Sequence, residues 1–164
     1  MDLTYPTGRL LSLKRSGAPP ELSFEFRWRD APPGEAVYGD YTEDGLRRAL
    51  THPELFIMGE VDAQPAGLLM IVLAGYTDAG EITDLAVHRP LRRRGVGRAL
   101  VQASAAWARD RGLRALWVEP RADNAEAIGF YMSLGFRMSG FNDRLYANSD
   151  HEAGRPTLYF YLEL

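Results

Sequence analysis

The fold turns on the stretch EITDLAVHRPLRRRGVGRAL, residues 81–100. Glu81 to His88 has the pattern of an extended segment, with Glu81 to Val87 a strand that His88-Arg89-Pro90 ends. The basic turn Arg92-Arg93-Arg94-Gly95-Val96-Gly97 follows. An amphipathic helical pattern then runs from Val96 to Arg111. A strand, a glycine-bearing basic turn and a helix start together make a place to hold phosphate. The first N–H groups of a helix lack partners within it, and the helix dipole favours an anion there. Gly95 and Gly97 permit backbone conformations that a Cβ opposes.

Two common phosphate motifs do not fit. A P-loop requires Gly-x-x-x-x-Gly-Lys-Ser/Thr, and the chain contains no such string. A dinucleotide fingerprint requires Gly-x-Gly-x-x-Gly, but after Gly95 and Gly97 come Ala99 and Leu100, with no third glycine.

Outward from this stretch, strands and helices mix along the chain. Glu21 to Arg29 alternates cleanly, with Leu22, Phe24, Phe26 and Trp28 on one side, which predicts a half-buried strand. Arg9 to Lys14 is a weaker strand, Ser16 to Pro20 a break, and Asp30 to Gly39 a Pro/Gly loop. Thr42 is placed to cap a short helix through Thr51. Leu55 to Val61 and Ala66 to Tyr76 read as strands joined by Asp62-Ala63-Gln64-Pro65.

In the helix after the turn, Val96, Ala99, Leu100, Ala103, Ala106 and Trp107 are spaced as one buried stripe, and Gly112 suits its C-terminal cap. Leu113 to Glu119 is a short apolar strand. Asp123 and Glu126 suit a capping box for a helix that runs to Leu134 and closes at Gly135. Phe136 to Phe141 and Thr157 to Leu164 read as final strands, with a polar loop from Asn142 to Pro156. No internal repeat or linker appears. The reading is one domain over residues 1–164, α/β or α+β with a mixed sheet.

Composition narrows the function. A chain of 164 residues can bury a real core. Its apolar content of 46% and charged content of 25% are ordinary for a folded soluble protein. The absence of cysteine excludes a thiol nucleophile and a cysteine-ligated metal. His52, His88 and His151 are widely spaced, so no metal is expected. No apolar run approaches the ~20 residues that span a bilayer, and no signal-peptide layout opens the chain; a cytoplasmic location is the expectation, with no membrane partner. A net charge of −3 gives no reason to expect nucleic acid. Acids gather instead between Asp30 and Glu54, a cation-friendly stretch or simply a solvated one.

Past the next strand come Asn124, Ala127, Phe130-Tyr131 and Gly135-Phe136. With Leu85-Ala86-Val87 and the arginine turn, this order closely resembles the GNAT N-acetyltransferase family. Phe24-Glu25-Phe26-Arg27, the arm from Gly140 to Tyr146, and Leu158-Tyr159-Phe160-Tyr161 resemble its streptothricin acetyltransferase branch. The resemblance implies a mostly antiparallel central sheet flanked by helices, with two splayed central strands. It implies acetyl-CoA as cofactor, its pantetheine arm paired with backbone at Leu85 and Val87, with Ala86 between them in the cofactor site. Its pyrophosphate would lie on the amides of Arg93, Arg94, Gly95, Val96, Gly97 and Arg98, its 3′-phosphate on one or more of the arginines, and Arg92 and Ala99 would complete the cofactor site. Asn124 and Ala127 would help hold the arm. Tyr131 would protonate the departing sulfur, while Phe130 and Phe136 read as core.

The implied reaction is direct acetyl transfer to a primary amine of a streptothricin-like antibiotic or another small polyamine. The same fold also suits a protein N-terminus or lysine as acceptor, and a non-catalytic acyl-CoA-binding module is the competing class. A base must deprotonate the acceptor. Relatives often place glutamate where this chain has Thr83. Glu81, on the same face of a regular strand, is the first candidate; Asp84, on the opposite face, and Glu119 follow. Tyr38, Tyr41, Asp143, Tyr146 and Tyr159 are candidate acceptor contacts, since acids and aromatic faces suit an ammonium group. The family includes many dimers, so a homodimer is compatible, although no residue pattern marks an interface.

Overall fold

The computed structural model describes residues 2–37 and 42–164. The chain divides into two compact units: residues 1–5, 37–118 and 161–164 form the first, and residues 6–36 and 119–160 the second.

In the first unit, Thr42 caps helix α1 (Glu43–Ala49), its hydroxyl accepting from the N–H of Gly45 at 3.1 Å. Strands β3 (Leu55–Val61) and β4 (Gln64–Leu73) then form an antiparallel hairpin. The turn is tighter than the sequence suggests. Asp62 and Ala63 both take positive φ, 53° and 60°, and two such residues make a complete hairpin loop. Gln64 and Pro65 therefore join β4, and Pro65 lies at the register shift between Gly59 and Glu60, where a ladder tolerates a residue without N–H.

Strand β4 is buried continuously from Ala66 to Ile71, because both of its faces are covered. Leu3 packs with Leu68, Met70 and Ala86 on one face. Helix α2 (Val96–Asp110) covers the other, where a Cβ on Gly67 would meet Leu100 at 3.3 Å. Strand β5 (Ala79–Val87) lies antiparallel to β4, and β6 (Ala115–Val118) lies parallel to β5 with α2 as the crossover. The buried stripe of α2 is Leu100, Val101, Ser104, Ala105 and Ala108, about one position on from the predicted stripe. Ala99, Ala103 and Ala106 are exposed. Alanines fit either side of a helix, so they did not fix its rotation. Trp107 is half-buried beneath the Arg111 guanidinium, 4.4 Å from its ring centroid.

The second unit contains most of the two-stranded sheet of β1 (Thr4–Ala18) and β2 (Glu21–Val37). The predicted loop from Asp30 is instead strand as far as Val37. Each strand of a two-stranded sheet keeps an open edge, which admits Pro32 and Pro33. The aromatic side of β2 is less buried than its alternation implied: Phe24 and Trp28 are 44% and 40% exposed. Arg9 stacks over Trp28 and Arg15 over Phe24, while Phe141 meets Phe24 and Phe26 edge-on.

Helix α3 (Ala125–Ser133) and strand β7 (Arg137–Asn142) follow the expected pattern. The predicted polar loop contains a short helix, α4 (Asn148–Glu152), too brief to leave a periodic signature. Strand β8 (Thr157–Glu163) starts in the second unit and ends in the first, where Tyr161 stacks on Trp117. The six strands β3 to β8 are hydrogen-bonded in the order β3-β4-β5-β6-β8-β7. Among the described residues, no helix is long and apolar enough to cross a membrane.

Candidate active site

Strand β5 carries a bulge. Met70 faces Asp84 and the next residue of β4, Ile71, faces Ile82, so Thr83 is an extra residue in the ladder. This overturns the regular-strand reading. Glu81 opposes Val72 and Asp84 opposes Met70, so the two acids share a face, the one that carries Ala86 and Leu68. Leu85 turns to the α2 side with Ile82 and Val87.

The ladder between β5 and β6 is short. Only Ala79, Gly80 and Glu81 pair, with Ala115, Leu116 and Trp117, and the pairing stops at Glu81. Beyond that rung the β6-side edge of β5 is open. The N–H of His88 donates to the carbonyl of Ala66 at 2.8 Å, which makes His88 and Ala66 a hydrogen-bonded rung. Antiparallel rungs alternate, so Val87 and Leu85 turn their backbone groups away from β4 and into that opening. The Val87 carbonyl accepts from Nε of Arg92 at 3.1 Å. Arg92 is thus half-buried against its own strand, whereas Arg93, Arg94 and Arg98 are exposed.

The 3₁₀ turn Arg89–Leu91 leads into the cradle. Arg93 and Gly95 take positive φ, 64° and 88°, which reverses the chain into α2. Gly95 is the N-cap and has no side chain to cap with. The first helical hydrogen bond runs from Ala99 to the Gly95 carbonyl at 3.0 Å. The N–H groups of Val96, Gly97 and Arg98 precede that bond and find no carbonyl within the helix. No atom outside its chain neighbours lies within 4 Å of a Cβ built on Gly95, so its surroundings are open. Three amides, three exposed guanidinium groups and a helix dipole suit a phosphate group.

In the second unit, the cap of α3 is Asn124 rather than the predicted Asp123. Asn124 Oδ1 accepts from the N–H of Ala127 at 3.0 Å. Asp123 instead takes two hydrogen bonds from Arg121, at 3.1 and 2.7 Å. Asn124 is buried, and the cap uses only its carbonyl, leaving the amide group to donate elsewhere. Tyr131 is 7% exposed, its ring edge-on to both Phe130 and Phe136.

The arm after β7 holds two polar pairs. The Tyr146 hydroxyl donates to Glu119 Oε1. His151 Nδ1 lies 2.5 Å from Asp143 Oδ2, and this hydrogen bond holds the Asp143 carboxyl below its ordinary range. Sequence reasoning missed both pairs, since 27 and 8 residues separate their members. Tyr159 lies against Gly140, whose added Cβ would stand 3.4 Å from its ring. Tyr38 and Tyr41 lie outside the described residues. No group of three or more metal-ligating side chains is assembled among the described residues.

The acetyltransferase (GNAT) family model matches residues 20–136, which contain the bulged strand, the arginine turn, Asn124 and Tyr131. The chain belongs to this family. Among its GNAT relatives, the streptothricin acetyltransferase of Streptomyces lavendulae is 31% identical over 121 residues, 74% of this chain and 64% of that protein. The ribosomal protein bS18-alanine N-acetyltransferase of Escherichia coli K12 is 37% identical over 73 residues, 44% of this chain and 49% of that protein. The chain thus matches less than two thirds of the length of either relative. A candidate streptothricin acetyltransferase from Bacillus anthracis, solved with acetyl coenzyme A, shares the fold over 100% of this chain and 90% of its own, with TM-score 0.81 and 21% identity.

Proposed function

We propose that this GNAT protein transfers the acetyl group of acetyl-CoA to a primary amine of a small cationic acceptor of the streptothricin kind. The observation that carries the reading is the open edge of β5. Leu85 and Val87 aim backbone groups into it, and it leads directly to the uncapped start of α2. A pantetheine arm carries amides and can pair with such an edge as a strand would. Its pyrophosphate then meets the amides of Val96, Gly97 and Arg98, with Arg93, Arg94 and Arg98 supplying charge. Arg92 serves the site differently from its neighbours, by bracing the Val87 carbonyl.

The acceptor attacks as a free amine, so one proton must leave it. Glu81 is the proposed base: it is half-buried on the last rung before β5 and β6 part. Asp84 shares its face and is the second candidate. The Val87 N–H polarises the thioester carbonyl as negative charge develops on its oxygen. Collapse of the tetrahedral adduct breaks the C–S bond: Tyr131 gives its phenolic proton to the departing thiolate, and the extra proton that the adduct nitrogen releases as the amide forms returns through water to the phenolate. A phenol keeps that proton at neutral pH and can donate it to a thiolate. Asn124, through its amide, holds the cofactor arm. No covalent enzyme intermediate is needed, in keeping with a chain that has no cysteine.

The S. lavendulae relative supports the small acceptor, and the Glu119 and Asp143 carboxylates with Tyr146 and Tyr159 supply the chemistry to hold an ammonium group. The E. coli relative supports a second reading, in which the amine is a protein N-terminus. Purified protein given acetyl-CoA and a panel of streptothricin, polyamines and peptides is expected to release thiol fastest with streptothricin. Release with an alanine-initiated peptide alone would transfer the assignment to the second reading. Silence across the panel, with acetyl-CoA bound, would leave a binding module.

A further inference from the structure

The turn that carries the cradle is tied to a distant piece of chain. The segment Asp2–Thr4 crosses the end of β5 and touches both residues from which the 3₁₀ turn hangs. The N–H of Asp2 donates to His88 Nδ1 at 2.9 Å. The N–H of Arg89 donates to the Asp2 carbonyl at 2.8 Å. The Asp2 carboxylate accepts from the N–H and hydroxyl of Thr4 at 3.0 and 2.8 Å, and the Arg89 guanidinium reaches the Thr4 hydroxyl at 3.0 Å. Between them Leu3 is 6% exposed, packed on Leu68, Met70 and Ala86.

On its other side the same turn is fixed to the sheet. His88 donates to Ala66, and its carbonyl accepts from Leu91 at 2.8 Å. Arg92 follows, bonded to Arg89 through its backbone and to Val87 through its side chain. His88 therefore stands between the segment and the cradle. Its Nδ1 must carry no proton to accept from Asp2, which fixes the tautomer with hydrogen on Nε2. The Asp2 carboxylate beside it lies in the field of the Arg89 and Arg92 guanidinium groups.

We infer that Asp2–Thr4 is a strap that positions the cofactor cradle, and that His88 is the positioning residue through which it acts. The inference rests on the acetyl-CoA reading above. His88 touches none of the reacting groups. It holds the 3₁₀ turn in the register that presents the α2 amides, so its loss weakens cofactor binding and leaves the chemical step intact. The specific requirement is a hydrogen-bond acceptor at the Nδ1 position.

The test uses the full chain, with acetyl-CoA affinity measured by calorimetry beside kcat and KM. His88→Leu removes the acceptor and keeps bulk. His88→Asn restores an acceptor oxygen at nearly the same place. One backbone hydrogen bond is worth a factor of roughly 2 to 10 in an equilibrium. His88→Leu is therefore expected to raise the acetyl-CoA Kd and KM by that factor, with kcat unchanged, while His88→Asn binds as the native chain does. Native-like Kd in a folded His88→Leu protein would overturn the strap while leaving the cofactor reading standing. An equal loss in His88→Leu and His88→Asn would also overturn it. A native chain that binds no acetyl-CoA overturns both.

Discussion

Glu81 faces Trp117 across the last rung of the parallel ladder, and past this pair β5 and β6 no longer hydrogen-bond. In the proposed reaction, a carboxylate at that fork would stand where the amine reaches a thioester lying along the open edge. Glu81→Gln keeps the shape and removes the base. It is expected to lower kcat by roughly 10²-fold, within the range for general-base loss, with acetyl-CoA affinity unchanged. Asp84→Asn, on the same face, is expected to cost less. The reverse order in steady-state kinetics would move the base to Asp84.

Tyr131 is packed between Phe130 and Phe136, and Tyr131→Phe preserves the ring while deleting the hydroxyl. Thermal stability is expected to change little. The maximal rate is expected to fall by roughly 10² or more, with acetyl-CoA Kd unchanged, because only the departing thiolate needs the proton. An equal loss in rate and affinity would remove the acid role.

Gly95 has φ of 88° with open space around it, so a substitution there meets strain and no clash. Gly95→Ala is expected to cost about 1–2 kcal/mol and lower Tm by roughly 3 to 8 °C. Gly95→Asn should cost less, since asparagine enters the left-handed region more readily. Differential scanning calorimetry separates the two, and equal Tm values would show that the turn relaxes out of this conformation.

The turn and helix start at Gly95 were legible in the sequence because backbone makes them: two glycines after a run of arginines specify both. The facing of the acids was not. Thr83 is one residue in a strand, and a bulge leaves no mark in the residue types around it, so a regular strand puts Asp84 on the face opposite the one it takes. Arg92 read as one arginine among four, yet it alone turns back onto Val87. The spacing offers Asp123 as the cap of α3, but Asn124 takes that role; each can cap, and the ion pair with Arg121 draws Asp123 away. The pairs in the arm depend on the folding of a loop whose helix is only five residues long.

His151 holds the Asp143 carboxyl below its ordinary range, chiefly by their hydrogen bond. A carboxyl lowered in the folded state adds stability above the ordinary carboxylate range and loses it as pH falls through the folded value. Thermal melts from pH 7 down to about 2.5 are therefore expected to show a loss of Tm below pH ~4 that Asp143→Asn reduces. Identical pH profiles for the native and Asp143→Asn proteins would show that the pair contributes nothing to the arm.

Tyr146 is 65% exposed, and its hydroxyl holds the half-buried Glu119 carboxylate by a charge-assisted bond. A carboxylate fixed in this way can receive an ammonium group without first being ordered, which is the advantage of a preorganised site. Glu119→Gln is expected to raise KM for a cationic acceptor about tenfold or more and leave KM for acetyl-CoA unchanged. Tyr146→Phe is expected to act in the same direction and more weakly, because the charge stays while its orientation is lost. The double variant decides between partnership and coincidence. If Glu119 and Tyr146 act together, it is no worse than Glu119→Gln alone; if their effects multiply, each contacts the acceptor independently.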